Sequence, residues 1–290
     1  MSALYNNTSI NSELFAPLVA AAQYAAYENS VARQLATVFD MPANSGKVVQ
    51  VPVWSSITAM SPEEGQIVDS DGTTSIFANT NTSSVNITLS EKVVAHRITD
   101  MLRDSAYNDV MAQLGDQAGR AIAEAMDAEL FATFADFTSD IGSTSTEVTA
   151  DTIFRAAATL RSRKLTGPFY AVLDPRTAYN LKKTLTATTS YQNATSVADN
   201  VLSNFYIGQI AGVQIYESAL VATDGSVSTA AVNAVFAPQA LAHSMRGSIR
   251  LETQRQAAYR ATDLVLTAVS GAAVIQPTFG VKLTANKVID

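Results

Sequence analysis

The segment Val235–Leu283, VFAPQALAHSMRGSIRLETQRQAAYRATDLVLTAVSGAAVIQPTFGVKL, constrains this chain most, because its pattern is one of strands. It reads as strand, turn, long alternating strand and final strand, with Ile249–Thr253 and Leu264–Val269 as extended runs. Arg246, Arg250, Arg255 and Arg260 stud this stretch, and it contains no catalytic constellation. A chain that closes this way must build sheet late, so any helices it forms have to pack on that sheet from earlier positions.

The earlier positions supply them. Residues 1–12 are polar; from Ser12, a candidate cap, Leu14, Leu18, Ala22 and Ala25 recur at helical spacing up to about Phe39. Met41-Pro42 and Asn44-Ser45-Gly46 stop that helix, which is either packed on its own subunit or an arm lying on a neighbour. Lys47–Trp54 and Val85–Val93 alternate as strands. The roughly thirty residues between them are rich in Ser, Thr, Asn, Gly and acid, too long for an ordinary connection. Two strands feeding a long polar tip describe a protruding hairpin.

Asp100–Phe137 contains no Pro, and Val110, Leu114, Ala118, Ile122, Met126, Leu130 and Phe134 form a slowly winding apolar stripe. A continuous helix here would be about 50 Å long, with Gly115 and Gly119 as candidate bends. Thr138–Ala150 reads as a loop. Helix Asp151–Lys164, capped by Thr149 or Asp151, strand Phe169–Leu173 and a helix opened by Asp174-Pro175 and running through Leu185 make a mixed α/β lobe. Ile207–Tyr216 follows, turning at Gly208 and Gly212. The class is α+β.

Composition removes several functions. Cys is absent, which excludes disulfides and thiolate metal sites. His96 and His243 are the only histidines and lie far apart; there is no G-x-S-x-G, no metal-ligand spacing and no phosphate-binding glycine loop. His96 reads as a hydrogen-bonded structural residue and His243 as a strand-edge residue. Asp69-Ser70-Asp71-Gly72 lacks the closing Glu of a calcium loop. No enzyme, cofactor or metal is expected. MSALYNNTSI has no basic n-region and no apolar run spans a bilayer, so a soluble protein made in a cytoplasm is expected. The net charge of −7 opposes sequence-wide nucleic-acid affinity. Charged residues are only 16% of the chain, as in proteins that hide surface in an assembly.

The charges are also segregated. No Lys or Arg occurs from Val48 to Glu91, a stretch holding Glu63, Glu64, Asp69 and Asp71, whereas Glu252 is the only acid between Arg246 and Arg260. A protruding acidic loop cannot easily fold back on its own base, so the expected complement lies on another copy. On this reading the 55–84 tip docks on a neighbour's Arg246, Arg250, Arg255 and Arg260, and charge reversal at Arg250 or Arg255 impairs assembly.

Element order, with FYAVLDPRTAYNLKK, IGQIAGVQIYESALV and the C-terminal stretch, resembles the major capsid proteins of tailed bacteriophages, the Hong Kong 97-like family, along nearly the whole chain. The resemblance implies an N-terminal arm at 1–46 and an E-loop hairpin with stems at 47–98. It implies a peripheral domain with a long spine helix at 99–150, an axial domain at 151–244, peripheral strands at 245–272 and a C-terminal strand at 273–290 returning to the axial domain. It further implies a homo-oligomer of hexamers and pentamers in an icosahedral virion capsid around double-stranded DNA, assembled in the host bacterial cytoplasm. Separate scaffolding, portal and cement proteins would be its partners, without membrane contact. An encapsulin-like compartment shell around enzyme cargo is the alternative. The E-loop lacks Lys between Val48 and Glu91, so the Lys–Asn crosslink of some family members is not expected.

Overall fold

The computed structural model describes residues 16–29, 31–42, 46–54, 82–105, 110–186 and 208–289. Its N-terminal elements are helices α1 (Ala16–Asn29) and α2 (Ala32–Leu35), then strand β1 (Thr37–Val38). Strands β2 (Val48–Trp54), β3 (Thr82–Thr88) and β4 (Ser90–Thr99) lead into helices α3 (Asp100–Ser105) and α4 (Val110–Ala132). Then come β5 (Ser139–Gly142), α5 (Ala150–Ser162), β6 (Phe169–Leu173) and α6 (Pro175–Thr186). The rest is strand: β7 (Gln209–Ile210), β8 (Val213–Glu217), β9 (Ala230–Phe236), β10 (Leu241–Met245), β11 (Arg250–Gln256), β12 (Ala261–Val274) and β13 (Gly280–Asn286).

Two sheets organise the molecule. One has five strands in the order β1-β10-β12-β11, with β4 on the opposite edge of β12. The other has six, in the order β5-β13-β9-β6-β8-β7. Helix α4 serves both. Its Ala118, Ile122 and Met126 pack on Leu264, Leu266 and Ala268 of the five-stranded sheet. Leu130 and Phe131, with Phe134 and Phe137 just beyond, pack on Val172, Ala234 and Phe236 of the six-stranded sheet. Rings of Phe134 and Phe236 lie 5.5 Å apart, within the range where aromatic pairs attract. The far face of the six-stranded sheet is covered by α5 and α6 through Ile153, Ala157, Leu160, Ala178 and Leu181. Thr149 caps α5 in a reciprocal capping box with Thr152.

The N-terminal helix ends at Asn29, ten residues before the expected stop. Val31 N–H donates to buried Asp127 Oδ2 at 2.9 Å, the single turn of α2 follows, and the chain extends from Thr37. Phe39 N–H reaches His243 O at 2.9 Å and Met41 N–H reaches Met245 O at 3.0 Å. The open edge of β10 satisfies these donors, which is why Thr37–Val38 is a strand parallel to it and not a further helical turn. Helix α1 lies on α4 of the same subunit, with Leu18 and Ala22 fully buried. Ser12 and Leu14 lie outside the described residues.

Helix α4 runs unbroken through Gly115 and Gly119, from Val110 to Ala132. They admit α1: a Cβ at Gly115 would sit 2.6 Å from Leu18 O, and one at Gly119 would sit 2.8 Å from Ala25 Cβ and closer still to Ala22 O. The expected single helix from Asp100 crosses 106–109, outside the described residues.

Three further differences concern strands. Val85–Val93 is not one strand: β3 pairs with β2, and after Leu89 the chain joins β12 as β4. The expected loop at 138–150 contains β5, parallel to β13 from Ser139↔Val281 to Gly142↔Thr284. Strand β10, mostly inside the range expected for the axial lobe, belongs to the five-stranded sheet. Strand β13 returns to the six-stranded sheet, beside β9.

Candidate assembly surfaces

The β2–β3 hairpin is rooted on the five-stranded sheet by Val51, Ile87, Val49 and Phe39, packed on Ala242, Ala273 and Ile275. On β12 these odd positions point away from α4, whose partners are the even ones, so the hairpin leaves from the opposite face of the sheet. Leu89 N–H closes its base on Lys47 O at 2.9 Å. Its acids Glu63, Glu64, Asp69 and Asp71 lie outside the described residues.

The four arginines follow different courses. Arg246 Nη1 donates to Gly46 O at 3.1 Å, tying the five-stranded sheet to the hairpin base. Arg255 forms a two-pronged pair with Asp100, Nη1 to Oδ1 at 2.7 Å and Nη2 to Oδ2 at 2.6 Å. That hydrogen bonding raises the Arg255 pKa further. Arg250 is exposed on β11, opposite Thr267, and Arg260 is exposed after the 257–259 turn. Among the described residues neither has an acidic partner at ion-pair distance. Arg260 holds φ +47, a left-handed conformation uncommon for a side chain of its size, and its carbonyl accepts from Asp100 N–H at 2.9 Å.

The arginine-bearing region also meets acids from other elements. Asp100 answers Arg255. Asp263, directly across from Arg97 on β4, binds it at 2.6 and 2.9 Å, and this guanidinium holds the Asp263 carboxyl below its usual range. Arg97 also stacks 4.9 Å over the Tyr259 ring. Met101, Leu102 and Tyr259 are exposed apolar side chains at this end, where α3 meets the 257–260 turn. No sequence signal linked Asp100 to Arg255, because 155 residues separate them. Register alone brings them together.

His243 is not at a strand edge: β10 lies between β1 and β12, and the side chain is fully buried with neither ring nitrogen hydrogen-bonded. Burial pushes its pKa down to about 4, with Arg33 and Lys92 adding to the effect and Asp40 opposing it. His96 Nε2 is likewise buried without a partner. Among the described residues, no three His, Asp or Glu side chains gather to hold a metal ion. No described helix is long and apolar enough to cross a membrane. A surface depression of about 590 Å3 lined by Gly208, Gln209, Gln214, Ile215, Tyr216 and Glu217 offers one carboxylate, which Lys182 engages at 2.6 Å.

The sequence model of the phage capsid protein family matches residues 80–283. No curated protein sequence matches the chain. Among solved structures, one from Mycobacterium phage Che8 is similar at TM-score 0.65 and 19% identity, over 82% of this chain and 85% of that one. The capsid of Cyanophage P-SCSP1u is similar at 0.66 and 20%, over 87% and 86%. A virus-like particle from Pyrococcus furiosus is similar at 0.60 and 13%, over 93% and 99%. These likenesses agree on one fold. The chain belongs to the phage capsid protein family and has the Hong Kong 97-like fold of a tailed-phage major capsid protein.

Proposed function

We propose that this protein tiles as hexamers and pentamers into an icosahedral head around double-stranded DNA, with a separate scaffold, a portal and any cement protein as partners. Assembly would take place in the host cytoplasm. The observation that carries this reading is the hairpin rooted on the sheet face opposite α4. A strand pair anchored at its base, whose intervening segment carries Glu63, Glu64, Asp69 and Asp71 and no Lys or Arg, is suited to reach across a subunit boundary. Residues 1–46 act in this reading as the N-terminal arm, the hairpin as the E-loop, α4 as the spine helix and the six-stranded sheet as the axial domain. Family membership favours this over a compartment shell with enzyme cargo.

The docking partner of the tip narrows to Arg250 and Arg260, since Arg255 and Arg246 already have intrachain work. Complementary charge of this kind sets register and orientation more than affinity. Arg250→Glu is expected to lower the yield of closed shells, scored by electron microscopy and gradient sedimentation, and Glu63→Lys with Glu64→Lys to restore it. Unchanged yield in Arg250→Glu would remove the docking model. A chain that remains monomeric with its neighbouring genes co-expressed would remove the shell itself.

A further inference from the structure

The hairpin and the five-stranded sheet meet across a single residue. Strand β3 ends at Thr88 in the hairpin, β4 begins at Ser90 in the sheet, and Leu89 between them is fully buried. Gly271 of β12 lies against this crossing: a Cβ there would collide with Thr88 O and stand 3.2 Å from Leu89 Cδ2. Backbone packed this closely on backbone leaves the chain little room to choose its path. The direction the hairpin takes then depends on what holds the first residues of β4.

Those residues are held by α4. Val94 and Ile98, at even positions of β4, share a core with the helix, and Ser90 and Lys92 have the same parity. Both meet Glu129. Ser90 Oγ donates to Glu129 Oε1 at 3.2 Å, Lys92 Nζ lies 3.0 Å from Glu129 Oε2, and Lys92 also donates to Ser90 Oγ. This is not a solvated surface pair: the Lys92 and Glu129 side chains are 18% and 28% exposed, and Glu129 Oε2 is closed off from solvent. Parting them would leave an enclosed charge without its counterpart, which ties the three side chains together. Glu129 also stands where α4 changes duty, between Met126 on the five-stranded sheet and Leu130 on the six-stranded one.

We propose that the Ser90–Lys92–Glu129 cluster fixes the direction of the hairpin relative to α4, so that a swing of the hairpin and a shift of the helix are coupled. The apolar root of the hairpin, Val51 and Ile87 on Ala242, is non-directional and tolerates rocking. A carboxylate bonded by a hydroxyl and paired with an ammonium has a preferred geometry and does not. Coupling between two elements acts equally in both directions. Its use in assembly rests on the shell reading: a hairpin seated on a neighbour would pass that seating to the helix that spans both sheets. The coupling itself belongs to the single subunit.

Two measurements on unassembled subunits test it. Because the chain has no Cys, Ser84→Cys with Ala121→Cys places one spin label on the exposed face of the hairpin and one on the exposed side of α4. Double electron–electron resonance then reads the distance from hairpin to helix. The labelled parent is expected to give one narrow distribution, and Glu129→Ala to broaden or displace it. Ser90→Ala, which removes a single oxygen, carries the same expectation and serves if Glu129→Ala does not fold. Lys92→Glu with Glu129→Lys reverses both charges and is expected to bring the narrow distribution back. Glu124→Ala, exposed on the same helix, is expected to leave it unchanged. A distribution that stays narrow in Glu129→Ala and Ser90→Ala overturns the proposal, and so does equal broadening by Glu124→Ala. Hydrogen exchange tests the opposite direction. Gly271→Ala, which pushes Thr88 aside, is expected to speed exchange in α4 around residue 129, and to lose that effect when combined with Ser90→Ala. Exchange in α4 that ignores Gly271→Ala overturns the coupling. Neither measurement needs a shell, so failure to assemble would remove the shell reading and leave this result standing.

Discussion

At the scale of single residues, His243 has the largest consequence. Its imidazole is fully buried with both nitrogens unpaired, so the folded state accepts it only neutral. The folded pKa of about 4 lies below the ordinary 6.5, so the unfolded chain binds the proton first. Stability is therefore full above pH 6.5 and falls as pH drops towards 4, by about 3 kcal/mol from this one group at 1.36 kcal/mol per unit. Urea unfolding of unassembled subunits at pH 7.5 and pH 4.5 measures it. His243→Gln is expected to flatten the difference by that amount, the remaining slope coming from carboxylates. Sequence reading located the residue but placed it at an edge; only pairing with the two-residue β1 makes it interior.

Elements meet through two kinds of signal. Local pattern found β2, β6, α5, α6 and the late strands: β2, α5 and β12 bury one face and alternate accordingly, whereas β6 is a short apolar run buried on both. It missed β5, whose four residues Ser-Asp-Ile-Gly are too few to alternate and are recruited by the edge of β13. It read Gly115 and Gly119 as candidate bends and missed the close approach of α1 that they permit. Replacing Gly by Ala in an exposed helix stabilises by about 1 kcal/mol. In Gly119→Ala the added methyl instead meets the Ala22 backbone and Ala25 Cβ, and overpacking of this kind costs about 1–3 kcal/mol. The expected outcome is net destabilisation with release of α1, read as faster proteolysis around residue 30 while α4 stays protected.

For the whole molecule, the central question is which charges hold the subunit and which hold the shell. Arg255 was expected among the second group, and it pairs with Asp100 of its own subunit. Arg255→Glu should therefore lower shell yield through the subunit, and Arg255→Asp combined with Asp100→Arg should restore it in gradient sedimentation. Arg250→Glu should be indifferent to any change at Asp100. The sequence by itself determined the α+β class, the long helix, the strand β2 at the base of the hairpin and the returning final strand, because burial of one face per element is written in local periodicity. Only the tertiary structure decided that α1 packs on its own α4, that α4 spans two sheets, and which arginines meet acids. Those outcomes depend on β-register between residues more than 150 positions apart and on close helix approach, and neither leaves a trace in a local window.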